Sequence, residues 1–208
     1  MTIDWQQLYQ QRKAAAKKFG SIWQVPLRKR YHTVLAELGE ANISLLEVGA
    51  GDRALQQTMS RYWGAFSYAS CDIDATFEHD FASTKDLRGE YDLVAIFEMI
   101  EHVPLLDAAE VLQDCLRHLK PGGKIMLTTP NTYYPPAYLR DATHITPFCY
   151  DELAGLLSLC GFQVTAIYRL HHDSVIKKAI KRYLAYPLFR LLGIDFAHQI
   201  AVVAEKPA

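Results

Sequence analysis

The sequence predicts an α/β fold, a doubly wound and mostly parallel sheet with helices on both faces, and three observations carry that expectation. Short apolar runs alternate along the chain with longer stretches of helical periodicity, the pattern of strands joined by crossover helices. The first apolar run stops in a glycine turn, Gly49-Ala50-Gly51. The second ends on an acid, Asp72, 23 residues after Gly49, about where an open parallel sheet places a carboxylate beside a bound ribose.

The elements follow in order. Residues Pro26 to Gly39 space Leu27, Tyr31, Val34, Leu35 and Leu38 as a helix does, with proline suited to its start and glycine to its end. Ile43 to Val48 reads as a buried strand, Ser67 to Cys71 as a second and Tyr91 to Phe97 as a third. Pro104 opens a helix carried by Leu105, Ala109, Leu112, Leu116 and Leu119 and closed by Pro121-Gly122-Gly123. A strand over Lys124 to Thr129 meets Pro130. Tyr150 to Cys160 is helical, with Gly161 where a left-handed cap falls. Closing strands fit Gln163 to Tyr168 and Gln199 to Glu205. The expected layout is one domain over residues 1–208: an N-terminal helical segment (1–40), a core (41–168), a helical insertion (169–196) and a final strand (197–208).

Composition narrows the function classes. The chain has 208 residues, half of them hydrophobic, and its 22 basic side chains nearly cancel 23 acidic ones. That balance exerts no general pull toward nucleic acid. The four cysteines, Cys71, Cys115, Cys149 and Cys160, lie far apart and read as reduced thiols rather than a disulfide framework or zinc site. No signal-like or membrane-spanning apolar stretch is present, and a cytoplasmic location is expected.

A glycine turn followed by an acid is, alone, equally a plain turn and a solvated aspartate. The surrounding residues add to it. Glu47-Val48-Gly49-Ala50-Gly51 resembles the first motif of the class I S-adenosylmethionine-dependent methyltransferases, whose fold is Rossmann-like with a seven-stranded sheet. Tyr91 to Pro104 and the turn Leu119 to Gly123 resemble the quinone and small-molecule O-methyltransferase branch. Thr128-Thr129-Pro130-Asn131 continues that pattern. The resemblance spans roughly residues 28 to 168 and the last strand. It implies S-adenosyl-L-methionine as cofactor, with S-adenosyl-L-homocysteine as product. It implies contact with the methionine part at Glu47, close backbone approach at Gly49, Ala50 and Gly51, and ribose contact at Asp72 beside Ile73. Asp80 and Phe81 fall on the adenine, and Phe97, Glu98 and His102 border the cofactor. Arg53 stands where many members carry a third glycine, which crowds the outer edge of the loop. Gly49 to Ala54 also fits a nicotinamide dinucleotide pattern, although Glu47 would repel a diphosphate and favour a cationic sulfonium.

Methyl transfer from a sulfonium needs alignment above all, and an oxygen acceptor also calls for a base. His144 is the candidate, since an imidazole titrates near neutral pH, with Asp141 three residues away to orient it. The alternative is a histidine that only pins its loop. Glu98, Glu101 and His102 could together hold a divalent ion. The favoured expectation is that they do not, so no metal site is assigned. Pro135-Pro136-Ala137-Tyr138 resembles the motif of nucleic-acid base methyltransferases but follows the wrong strand, and that class is set aside. The acceptor expected is a small molecule or a lipid-linked or sugar precursor. A catalytically inactive cofactor-binding protein and a nicotinamide oxidoreductase are the competing readings.

Two segments fall outside these motifs. In the insertion, Val175, Ile176, Ala179, Ile180, Tyr183 and Leu184 form an apolar stripe, with Lys177, Lys178, Lys181 and Arg182 on the other side and Pro187 bending or ending the helix. Residues 173–192 could lie on an anionic membrane, cover the acceptor, join a homodimer, or pack the stripe on the domain. The aromatic residues Trp5, Tyr9, Phe19 and Trp23 of the N-terminal segment either close over the cofactor or belong to the core.

Overall fold

A computed structural model describes residues 3–208. Seven strands, β1 (Leu27–Arg28), β2 (Ser44–Val48), β3 (Ser67–Cys71), β4 (Tyr91–Phe97), β5 (Leu119–Pro130), β6 (Gln163–Leu170) and β7 (Gln199–Glu205), form a single sheet in the order β1-β6-β7-β5-β4-β2-β3. Every neighbouring pair is parallel except the two that involve β7. From β2 the chain steps outward to β3 and then crosses to β4 on the other side of β2. The strand order therefore reverses between β2 and β4, and it is outside the carboxyl ends of such strands that open α/β sheets bind ligands.

Eight short or medium helices accompany the sheet: α1 (Trp5–Phe19), α2 (Tyr31–Ala36), α3 (Ala54–Trp63), α4 (Leu105–His118), α5 (Pro135–Leu139), α6 (Tyr150–Leu159), α7 (Val175–Ala179) and α8 (Tyr186–Leu191), the last two separated by a π-helical turn, Ile180–Leu184. Alternate residues of the central strands serve opposite faces. Leu46 and Val48 join a core with residues of α1, α4 and α6, while Leu45 joins one with Val34, Leu35, Leu55 and Met59 of α2 and α3. The strands are buried on both faces, which explains why they read as continuous apolar runs instead of alternating ones.

One expected boundary moves, and two open alternatives narrow. The helix expected from Pro26 starts only at Tyr31, because Leu27 and Arg28 extend as β1 along β6, the Arg169 N–H donating to the Pro26 carbonyl at 2.8 Å. That pairing spans most of the chain and leaves no local trace. The N-terminal aromatics do not close over the glycine turn. α1 lies on α6, so close that a Cβ on Gly155 would stand 2.8 Å from the Arg12 nitrogen. Trp5 and Tyr9 stack on each other at the surface. Finally, the insertion does not pack its stripe on the domain. Val175, Ile176, Ile180, Tyr183 and Leu184 are all more than half exposed. The four cysteines are free thiols.

Candidate cofactor and acceptor site

β2 delivers Gly49 and Gly51 in the left-handed region, at φ +76° and +46°. At Gly49 the need for glycine is steric as well: a Cβ there would meet the Met99 Cβ at 2.7 Å. Arg53 takes the place of the third glycine and adopts φ +60° itself, a conformation that costs a side-chain-bearing residue about 1–2 kcal/mol. Its guanidinium donates to the Glu78 carbonyl at 2.8 Å and lies over the Tyr68 ring, contacts that hold it away from the loop. Asp72 closes the turn from the next strand. Its Oδ2 accepts from the Gly51 N–H at 2.8 Å and its Oδ1 from the Asp74 N–H at 2.9 Å.

Between these residues opens a largely apolar cavity of about 260 Å³, lined by Gly49, Asp72, Ile73, Ser83, Met99 and His102 among others. Ile73 is almost wholly exposed, a large apolar side chain free to lie against a flat ligand. Of the segment expected on an adenine, neither Asp80 nor Phe81 lines this cavity. Asp80 is spent on β3, accepting from the Ser70 N–H at 2.8 Å and its hydroxyl at 2.9 Å. Burial works against that carboxylate, but the Ser70 bonds and Arg53 still hold it below its ordinary range. Phe81 pairs with the β3 end, and Ala82, Ser83 and Thr84 reach the cavity instead.

Glu47 does not line this cavity. It is buried and accepts a hydrogen bond from the Tyr68 hydroxyl. Burial, opposed by that bond but helped by Asp52 and Asp72, raises its carboxyl to about 7. Ala50 is buried within the turn. Phe97, at the end of β4, packs against Tyr31 with ring centroids 4.6 Å apart. Tyr31 stands close enough to Glu47 and Glu98 for their charges to add to the burial that raises its hydroxyl. The sequence pattern marks Tyr31 only as a helix residue and gives no sign of this closeness to the strand-end acids.

Glu98 turns the chain sharply, at φ +49°. Met99 faces the 260 Å³ cavity, while Glu98 faces a second cavity of about 510 Å³ lined by Tyr134, Arg140, His172, His198 and Gln199. One Glu98 oxygen is buried without a partner, and burial raises its carboxyl. The His144 side chain is buried and lines neither cavity itself, but it packs beside His102, which lines the smaller one. Its ring lies 4.8 Å from that of His102 and 4.9 Å from that of Tyr138. His144 Nδ1 is 2.7 Å from the Tyr138 carbonyl, so Nδ1 is the donor of that bond. Asp141, expected to orient this ring, is 3.9 Å from Nε2, too far for a hydrogen bond. Its carboxylate instead accepts from the Thr143 N–H and hydroxyl at 2.9 and 2.7 Å, bonds that hold it below its ordinary value. The Tyr138 carbonyl does the orienting.

Beneath these residues Glu101 is fully buried with neither oxygen paired, and burial raises it to about 8. Its backbone carbonyl accepts from Ile145 and Thr146 and pins the loop that carries His144. The ligand atoms of Glu101, His102 and His144 lie within 4.8 Å of one another. Glu98, grouped with Glu101 and His102 by sequence, faces away into the larger cavity.

With this geometry in view, comparison with known proteins is decisive. A model of the methyltransferase domain matches residues 21–167. The chain belongs to that family. Among curated relatives it is 32% identical over 123 residues to a ubiquinone biosynthesis O-methyltransferase of Xanthomonas oryzae pv. oryzae, covering 51% of this chain and 50% of that protein. It is 46% identical over 55 residues to the protein of the same name from Pseudomonas aeruginosa, covering 26% and 22%. The chain thus spans about half the length, or less, of the curated relatives it matches. Among solved structures, a SAM-dependent methyltransferase from Archaeoglobus fulgidus superposes with a TM-score of 0.65 at 18% identity, over 98% of this chain and all of that one. The fold is the Rossmann-like one of class I methyltransferases, and S-adenosylmethionine is the methyl donor of that family. The site suits such a donor: the Gly51 backbone opens on free space, acids surround the strand end, and the flanking cavity is apolar. No helix among the described residues is long and apolar enough to cross a membrane.

Proposed function

We propose that the protein methylates an oxygen of a small molecule or of a lipid-linked or sugar precursor, the donor lying in the Gly49 cavity and the acceptor in the Glu98 cavity. The observation that carries this reading is the Tyr138 carbonyl on His144 Nδ1 at 2.7 Å, which leaves Nε2 of the neutral ring to accept a proton beside His102, a lining residue of the Gly49 cavity. The donor, when bound, supplies an electrophilic methyl group on a sulfonium. The chain's own residues do the rest.

In this reading the Gly49–Gly51 turn and Asp72 hold the donor by backbone approach and ribose contact, Ile73 and Ala82 to Thr84 cover its adenine, and Glu47 and its acidic neighbours favour its positive charge. Phe97, Glu98 and His102 border the transfer point. His144 takes the acceptor hydroxyl proton as the new C–O bond forms. Tyr134, Arg140, His172 and His198 form the acceptor walls. The similarity to ubiquinone O-methyltransferases supports a phenolic oxygen, although it reaches only about half of this chain.

The test is transfer of labelled methyl from S-adenosylmethionine to a panel of catechols and phenols, with His144→Ala beside the wild type. The expected result is O-methyl product from the wild type, with kcat lower by roughly 100-fold or more in the variant and S-adenosylhomocysteine binding unchanged. Donor binding with no product from any acceptor would favour an inactive binding protein. Equal rates in the two proteins would remove His144 from the chemistry.

A further inference from the structure

The insertion joins the end of β6 to the start of β7. Since β7 runs antiparallel to β6 and β5, both its stems lie at the sheet edge where the parallel strands end, the edge that carries the two cavities. His172 on one stem and His198 and Gln199 on the other line the Glu98 cavity. The insertion is anchored from within by few groups. Tyr186 donates to the Trp23 carbonyl at 2.9 Å, Phe189 lies against Phe196, and Lys181 is paired with Asp173 at 2.8 Å.

Its outer side is unlike the rest of the surface. Ile176, Ile180, Leu184, Leu188 and Leu191 recur at helical spacing and are 51–82% exposed. Val175, Tyr183 and Leu192 extend the same surface, each at least 60% exposed. Monomeric proteins seldom leave so large an apolar patch uncovered. From Ser174 to Ile194 the segment also holds five cations, Lys177, Lys178, Lys181, Arg182 and Arg190, and no acid, in a chain whose formal net charge is −1.

We propose that this face docks on an anionic lipid bilayer. Charge decides between the candidate occupants. A second copy in a two-fold dimer would set the same cation-rich patch against itself, whereas an anionic membrane accepts the leucines into its interface and the lysines and arginines at its phosphates. Each cation near such a surface strengthens binding by roughly five-fold. Docking in this way turns the mouth of the Glu98 cavity toward the bilayer. The inference does not depend on which acceptor is methylated, or on whether any is.

Co-sedimentation with vesicles tests it. Phosphatidylcholine vesicles are compared with vesicles containing phosphatidylglycerol, using the wild type, Leu184→Glu/Leu191→Glu, and Lys177→Gln/Lys178→Gln/Arg190→Gln. Four of the five altered side chains are exposed and Lys178 is half-buried, and S-adenosylhomocysteine titration reports that each variant is folded. The expected result is partition onto the phosphatidylglycerol vesicles at least roughly ten-fold above phosphatidylcholine, weakened by salt, with a loss of roughly ten-fold or more in each variant. The proposal is overturned if the wild type stays in the supernatant, if the variants bind as the wild type does, or if sedimentation velocity shows a dimer that the leucine substitutions dissociate.

Discussion

The two sides of the site are built on different principles. On the donor side the demands fall on the backbone: glycine at φ +76°, an acid receiving an amide, a strand ending where the chain turns. On the side proposed for the acceptor they fall on side chains from scattered places, Glu98 after β4, Tyr134 and Arg140 around α5, His172 and His198 at the stems of the insertion. Backbone demands restrict which residue can stand at a position, so they leave a motif. Side-chain walls can be made in many ways and leave none. The donor is therefore readable from sequence and the acceptor is not.

The largest effect that would break this contrast is at Gly49. Gly49→Val combines a forbidden φ with a Cβ 2.7 Å from Met99, and calorimetry should find S-adenosylhomocysteine affinity lower by roughly 100-fold or more. Retained affinity would mean the turn is not where the donor lies. On the acceptor side, Tyr134→Ala should raise the KM for the acceptor several-fold and leave donor binding untouched; an equal loss of both would mean the cavities are one.

A third prediction concerns Glu101, beneath both. In the folded protein this carboxyl keeps its proton up to about pH 8, whereas in the unfolded chain it loses it near the ordinary glutamate value. Its contribution to stability is thus complete at low pH and is lost as pH rises toward 8, at about 1.4 kcal/mol per unit. Glu101→Gln should match the wild type in thermal unfolding near pH 5 and exceed it by a few kcal/mol near pH 8.5. Parallel curves would mean that the carboxyl finds a partner when ionised. The smallest effect is expected for Arg53→Gly, which relieves a left-handed side chain but gives up the bond to Glu78 and the contact with Tyr68. Unfolding stability should shift by no more than about 1 kcal/mol.

Most of the sheet was legible because its strands are buried on both faces and bounded by glycine or proline. β1 was not, since two residues paired with a strand far along the chain have no period of their own and sit inside an apolar pattern that reads as helix. Within the site, Gly49, Asp72 and Ile73, taken from the motif, line one cavity. Asp80 does not, because Ser70 offers it two hydrogen bonds that no local pattern announces. Asp141 was assigned by proximity in sequence, but a backbone carbonyl, that of Tyr138, performs the orienting and belongs to no residue type. In the insertion the amphipathic period was visible. Which side would be covered was not, for periodicity separates two faces without saying which one meets the protein.

The place of β7 has a consequence for how the protein is made. It lies between β5 and β6, so β6 and β1 are joined by hydrogen bonds to the remainder of the sheet only through it. As synthesis proceeds, β2 to β5 can assemble early, yet β5 keeps one edge open until residues near Glu205 leave the ribosome. An open edge invites pairing with other chains, and long-range pairing is slow. A nonsense change just before Gln199 would thus yield two incomplete sheet fragments rather than a trimmed domain, and the nascent protein is most aggregation-prone in the interval before β7 emerges.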